Sequence, residues 1–114
     1  MPPDLIQAAK VGDIESAKIA LAEDSHCIAQ VNQRGMNALQ IAMVNFHTEF
    51  ASFLLEETAI STMWKDHLKR DSLDIAFMCS NNAVGDTVWE RWNQEYVDAV
   101  GKEKQVVANF TPKP

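Results

Sequence analysis

The chain has 114 residues, of which 46% are hydrophobic and 23% are charged, and its formal net charge is −6. This length fits one domain with a modest core, and this composition is ordinary for a globular protein rather than a disordered one. The acidic balance argues against nucleic-acid binding, and no stretch approaches the roughly 20 apolar residues that a membrane span needs.

The first ten residues, MPPDLIQAAK, do not predict a secretory signal, because no basic segment is followed by an apolar run. We therefore expect a cytoplasmic protein, and removal of a signal from a longer precursor stays open. Cys27 and Cys79 are the only cysteines and form no CxxC motif. Their separation favours two free thiols, buried or half-buried, over a redox or zinc site.

An internal repeat covers most of the chain. Segments that begin at Leu5, Leu39 and Leu73 align without a gap at a period of 34 residues: LIQAAKVGDIESAKIAL, LQIAMVNFHTEFASFLL and LDIAFMCSNNAVGDTVW. Each has an alanine at its fourth position, then a polar turn, then a second apolar block. This pattern predicts a short helix, whose small alanine permits close packing, followed by a longer one. A single pair cannot bury its own apolar face, so the period predicts three stacked helix pairs.

The second unit resembles the ankyrin repeat. GMNALQIA, residues 35–42, matches its opening Gly-x-Thr-Pro-Leu-His-x-Ala, and HTEF, residues 47–50, matches its middle. Residues 70–76 are a looser copy of the opening, and residues 12–15 are a looser copy of the middle. Asn37 and Asp71 replace the threonine that starts the first helix, and both residue types are competent N-caps. The resemblance implies an all-α ankyrin-repeat solenoid of helix-turn-helix pairs with short finger loops.

Repeats near residues 4–34, 35–68 and 69–92 then form a single domain, 1–108, with a flexible tail at 109–114. The third unit is the most divergent, and Gly85 inside its second helix costs about 1 kcal/mol relative to alanine. We therefore expect that helix to be irregular near residues 83–86.

An apolar stripe follows the third unit. Its members recur at three- and four-residue steps and predict a helix that ends near Gly101: Val88, Trp89, Trp92, Tyr96, Val97 and Val100. We interpret it as a helix that caps the exposed end of the repeats. Two alternatives stay open, in which Trp92 and Tyr96 bind a partner or the stripe joins two copies.

No pattern of catalytic or metal-ligating residues emerges. His26, His47 and His67 form no HExxH pair, and the chain contains no GxSxG, P-loop or GxGxxG motif. The acidic pairs 23–24 and 56–57 lie where the second helices should end, which is typical of solvated charge. We expect a protein that is not an enzyme, with no catalytic residue, cofactor, metal site or small-molecule substrate.

The ankyrin resemblance implies that the finger loops and first helices form a concave binding face. The fingers correspond to residues 31–36 and 65–70, and the face is expected to be mildly basic, with acidic second helices behind it. Arg34 and Arg70 would be hot spots. The apolar anchors beside them, which we expect to be exposed, are Met36, Val44, Leu68 and Met78. The full predicted contact set is Gln33, Arg34, Met36, Val44, Lys65, His67, Leu68, Arg70 and Met78.

These features favour a protein-interaction module, such as an adaptor, that binds one protein partner and is monomeric when free. The alternative is a dedicated inhibitor or immunity-type protein that neutralises a toxin or hydrolase of the same cell. An adjacent gene for such an enzyme would favour the alternative.

Overall fold

The computed structural model describes residues 4–79 and 82–107, which form six α-helices. The all-α prediction is confirmed. The predicted tail, 109–114, and part of the predicted third turn, 80–81, lie outside the described residues. In chain order the helices are α1 (Leu5–Val11), α2 (Ile14–Glu23), α3 (Ala38–Val44), α4 (Thr48–Glu57), α5 (Ser72–Cys79) and α6 (Asn82–Val107), with a short 3-10 helix at Ser25–Ala29.

The helices pack as consecutive pairs, α1 with α2, α3 with α4 and α5 with α6. The first helices of the pairs, which we call the inner helices, pack side by side, with α3 between α1 and α5. The alanines that the repeat places at its fourth position, Ala8, Ala42 and Ala76, are all buried on these inner helices. The largest buried side chains come from all three pairs and form one core: Leu5, Leu39, Met43, Phe50, Leu54, Ile75, Val84 and Val88.

The 34-residue period is visible in the backbone as well as in the sequence. The second helices of the pairs, which we call the outer helices, begin at residues 14, 48 and 82. Gly12 and Phe46 occupy equivalent turns with φ of 79° and 59°. Gly35 and Lys69 are likewise equivalent, with φ of 77° and 64°. A positive φ is uncommon outside glycine. The turn geometry therefore persists where the turn residue has changed.

The starts of α3 and α5 confirm the predicted N-caps. Asn37 Oδ1 accepts from the Gln40 N–H at 3.0 Å, and the Gln40 side chain accepts from the Asn37 N–H at 2.9 Å. Asp71 and Asp74 make the same reciprocal pair at 2.9 and 3.1 Å. Such capping boxes satisfy backbone donors that the first helical turn leaves unpaired.

Helix α6 is one continuous helix of 26 residues, and this corrects two predictions. It is not irregular near residues 83–86, because the cost of Gly85 is small beside the burial of Val84 and Val88 on either side. It does not end at Gly101 but continues through Val107, the last residue that the structure describes, because residues 102–107, KEKQVV, include good helix formers and no proline. The third outer helix and the predicted cap are therefore one element.

Two side chains on α6 bind it to the segment that follows α4. Arg91 donates to the carbonyl oxygens of Leu55 at 2.7 Å, Thr58 at 3.1 Å and Ile60 at 3.2 Å. One turn later, the Glu95 carboxylate accepts from the N–H and hydroxyl of Thr62. These contacts satisfy the carbonyl end of α4 and fix the position of α6 along the second helix pair.

Candidate functional site

A groove of about 840 Å³ lies between α1, α3 and residues 31–36. We call it the concave groove. Its apolar lining is Ile6, Val31, Met36, Ile41 and Val44, and its polar lining is Gln7, Lys10, Asn32, Gln33, Arg34 and Asn45. The structure thus brings four residues of the predicted contact set, Gln33, Arg34, Met36 and Val44, to one site.

The loop at 31–36, the first finger, is held by its own hydrogen bonds. Asn32 Oδ1 accepts from the N–H groups of Arg34 at 2.9 Å and Met36 at 3.0 Å, and the Asn32 N–H donates to the Met36 carbonyl at 2.9 Å. Asparagine favours this turn because its side chain mimics a backbone acceptor. The loop is therefore pre-formed, with Gln33 and Arg34 exposed at its tip.

The loop at 65–70, the second finger, repeats this construction with an aspartate. Asp66 Oδ1 accepts from the N–H groups of Leu68 and Arg70, both at 2.9 Å. The His67 N–H donates to the Arg34 carbonyl at 2.9 Å, so the two fingers are joined. The His67 ring packs against Gly35, where an added Cβ would lie 2.4 Å from it. The fingers therefore form one connected edge.

Arg70 pairs with Asp66 instead of standing free. Its Nε and a terminal nitrogen lie 2.8 and 2.7 Å from Asp66 Oδ2, and the Asp66 side chain is only 1% exposed. Burial raises the pKa of the Asp66 carboxyl, but hydrogen bonds from the Arg70 guanidinium and from the N–H groups of Arg70 and Leu68 outweigh it, so this pKa lies below its ordinary value. Arg70 therefore stabilises the second finger, and its guanidinium is already paired within the chain.

The apolar anchors divide into two groups. Met36 was predicted to be exposed, and this is wrong, since it is only 3% exposed and belongs to the core. The hydrogen bond from its N–H to Asn32 turns the chain so that the side chain packs inward. Leu68 is 72% exposed and Met78 is 56% exposed, as predicted. Neither lines the concave groove, and Val44 does so half-buried.

Charge is distributed unequally between the two sides of the molecule. The groove lining contains Lys10 and Arg34 and no carboxylate, and Lys65 and Lys69 are exposed on the second finger. The outer helices carry exposed acids instead: Glu15, Glu23, Glu49, Glu56, Glu57 and Glu90. The side that bears the fingers is therefore basic in a chain whose net charge is −6.

His47 and Cys27 have structural surroundings. His47 Nε2 lies 3.0 Å from the Lys10 carbonyl oxygen, and its ring packs against Gly12, so it bonds the backbone of the preceding unit. Burial, and then the negative charge of Asp24, raise the pKa of the buried Cys27 thiol. Within residues 4–79 and 82–107, no three His, Cys, Asp or Glu side chains are placed to hold a metal ion.

Three stacked aromatic side chains on α6, which we call the aromatic face, are Trp89, Trp92 and Tyr96, and a fourth exposed aromatic residue of this helix pair, Phe77, lies on α5. The Trp89 and Trp92 rings are 6.1 Å apart and nearly parallel, as are those of Trp92 and Tyr96 at 5.6 Å. Trp92 is half-buried and donates to Asp71 at 2.9 Å, whereas Phe77 is 79% exposed. Sequence reasoning missed Phe77, because it follows Ala76 in what reads as a core helix.

Comparison with models of known protein families and with characterised proteins gives no match. Among the helices of the described residues, none combines the length and the apolar character that crossing a membrane requires.

Proposed function

We propose that this chain is a short ankyrin-type stack that binds one protein partner through the concave groove and the first finger. The ankyrin assignment is supported by the equivalent starts of the outer helices, the equivalent positive-φ turns and the two fingers built on Asn32 and Asp66. The binding function rests on one observation, which is a pre-formed loop that presents Gln33 and Arg34 beside a groove with an apolar floor.

Pre-formation of the loop matters for affinity. Binding normally costs about 0.5 to 1.5 kcal/mol for each flexible side chain that becomes ordered, and more for a loop. The first finger is already ordered by Asn32, and the second finger supports it through the His67 to Arg34 hydrogen bond. A partner therefore meets a rigid edge, and an arginine at such an edge is a frequent hot spot.

The groove lining favours binding over catalysis. It offers carboxamides, two cations and aliphatic side chains, and it contains no serine, cysteine, histidine or carboxylate that would serve as nucleophile or general base. We therefore propose an interaction module and not an enzyme.

The test is affinity capture from the source cell with the full chain as bait, beside the variants Arg34→Glu and Lys18→Glu. Both add the same kind of charge change at exposed positions, but Lys18 lies on α2, away from the groove. We expect one stoichiometric protein that is retained by Lys18→Glu and lost by Arg34→Glu, with unchanged circular dichroism. Equal capture by both variants would show that the groove is not the binding site.

The acidic outer helices favour a second candidate, a dedicated inhibitor of a toxin or hydrolase with a basic active site. In that case the captured partner is an enzyme whose activity falls on binding. Replacing Glu49 and Glu56 with lysine would then relieve inhibition, whereas Arg34→Glu would not. If the partner's activity is unchanged in the complex, the adaptor function stands.

A further inference from the structure

We propose that the concave groove binds an extended acidic peptide segment that carries an apolar residue. This inference rests on the proposed function and specifies the partner. Two observations lead to it: the groove lining contains two cations and no carboxylate, in a chain whose net charge is −6.

Those two cations have no internal partner among the described residues. Lys18 lies 3.7 Å from Glu15, and Arg70 is bonded to Asp66, whereas neither Lys10 nor Arg34 takes part in an ion pair with the part of the chain that the structure describes. Both are exposed and line the groove, one on α1 and one on the first finger. Acidic side chains bound in the groove would supply the opposite charge that these two cations lack.

The floor and the rim of the groove fit a peptide backbone with one apolar side chain. Ile41 is buried and Val44 half-buried at the floor, so an aliphatic or aromatic side chain placed there loses contact with water. The exposed carboxamides of Gln7 and Gln33 each offer donors and an acceptor to an extended backbone. A volume of about 840 Å³ lies within the range of pockets for drug-sized ligands, which suits a few residues of a segment.

A peptide suits this lining better than a nucleic acid, although both are anionic. Single-stranded nucleic acid is held by aromatic side chains on which bases stack. The groove lining contains no aromatic residue, and the chain's net charge opposes a polyanion. The carboxylates of aspartate and glutamate, separated by apolar residues, match the two cations and the apolar floor.

The experiment selects a display library of random 12-residue peptides on the immobilised full chain. The most enriched peptide is then synthesised with a fluorescein label, and its affinity is measured by fluorescence anisotropy. We expect enriched sequences to be rich in Asp and Glu around an apolar residue. We expect about tenfold weaker binding to Lys10→Glu and to Arg34→Glu and unchanged binding to the matched control Lys18→Glu. Higher salt should weaken the binding.

The inference would be overturned by no charge bias among the selected peptides, by equal binding to all three variants, or by displacement of the peptide by a single-stranded RNA oligonucleotide. Selection of no peptide at all would also overturn it, because an extended segment should bind without the rest of its protein. If affinity capture still yields a partner that Arg34→Glu loses, the proposed function survives and the partner presents a folded surface instead.

Discussion

Replacing Arg91 with methionine tests how the third helix pair is attached to the second. The substitution keeps much of the aliphatic stem and removes three hydrogen bonds from the guanidinium to carbonyl oxygens, at 2.7 Å to Leu55, 3.1 Å to Thr58 and 3.2 Å to Ile60. These carbonyls lie at and just after the end of α4, where no helical N–H remains to bond them. The loss therefore falls on groups with no replacement partner except water.

The magnitude follows from the number and kind of bonds. A hydrogen bond to a charged group contributes about 1.5 to 3 kcal/mol. Because Arg91 is only half-buried, water replaces part of what is lost. We expect Arg91→Met to lower the free energy of unfolding by about 2 to 4 kcal/mol, a large part of the 5 to 15 kcal/mol typical of a domain.

The measurement is urea unfolding followed by far-ultraviolet circular dichroism, with Arg34→Met as matched control. The control removes the same guanidinium from an exposed loop tip, so the free energy of unfolding of Arg34→Met should differ from that of the wild type by less than about 0.5 kcal/mol. We expect the midpoint of Arg91→Met to fall by more than about 1 M urea, while that of the control stays in place. Equal midpoints for the two variants would refute the reasoning that these three bonds hold α6 to the second pair.

Three further outcomes are expected. Gly85→Ala should raise the free energy of unfolding by about 0.5 to 1 kcal/mol, because the residue is helical and nothing lies within 4 Å of an added Cβ; a loss would contradict this environment. Gly12→Ala should lower the free energy of unfolding by about 1 kcal/mol or more, because φ is +79° and an added Cβ would lie 2.7 Å from His47. An unchanged thermal midpoint would contradict this. Asp66→Asn should lower the free energy of unfolding by about 1 to 2 kcal/mol at pH 7, because the amide can keep the turn but cannot form the ion pair with Arg70. Because the folded pKa of Asp66 lies below the unfolded value of about 3.9, the ion pair's contribution is complete above that value and is lost as pH falls through the folded pKa. The free energies of unfolding of Asp66→Asn and of the wild type, measured between pH 7 and 2, should therefore converge as the pH falls. A difference that stays constant over this range would count against the ion pair.

The sequence by itself determined the helix pairs, the period and the N-caps of α3 and α5, but not the extent of α6. A 34-residue period in the apolar residues marks which face of each helix must be covered, and this sufficed to predict helix pairs. Asn37 and Asp71 were recognisable as N-caps because capping is a local interaction over three residues. The position of the fingers, and the expectation that Arg34 and Val44 lie at the groove, came instead from the resemblance to the ankyrin repeat, and both residues line the groove.

Only the tertiary structure decided what each finger side chain does. Whether Met36 points outward depends on the turn that Asn32 imposes, and whether Arg70 is free depends on the buried Asp66 beside it. The attachment of α6 was the least visible, since Arg91 binds backbone carbonyls 31 to 36 residues away. Every residue carries a carbonyl, so the sequence contains no sign of which ones an arginine will reach. Helix periodicity can be read from residue types, whereas the backbone groups that a side chain bonds depend on which of them lie within reach after the chain has packed.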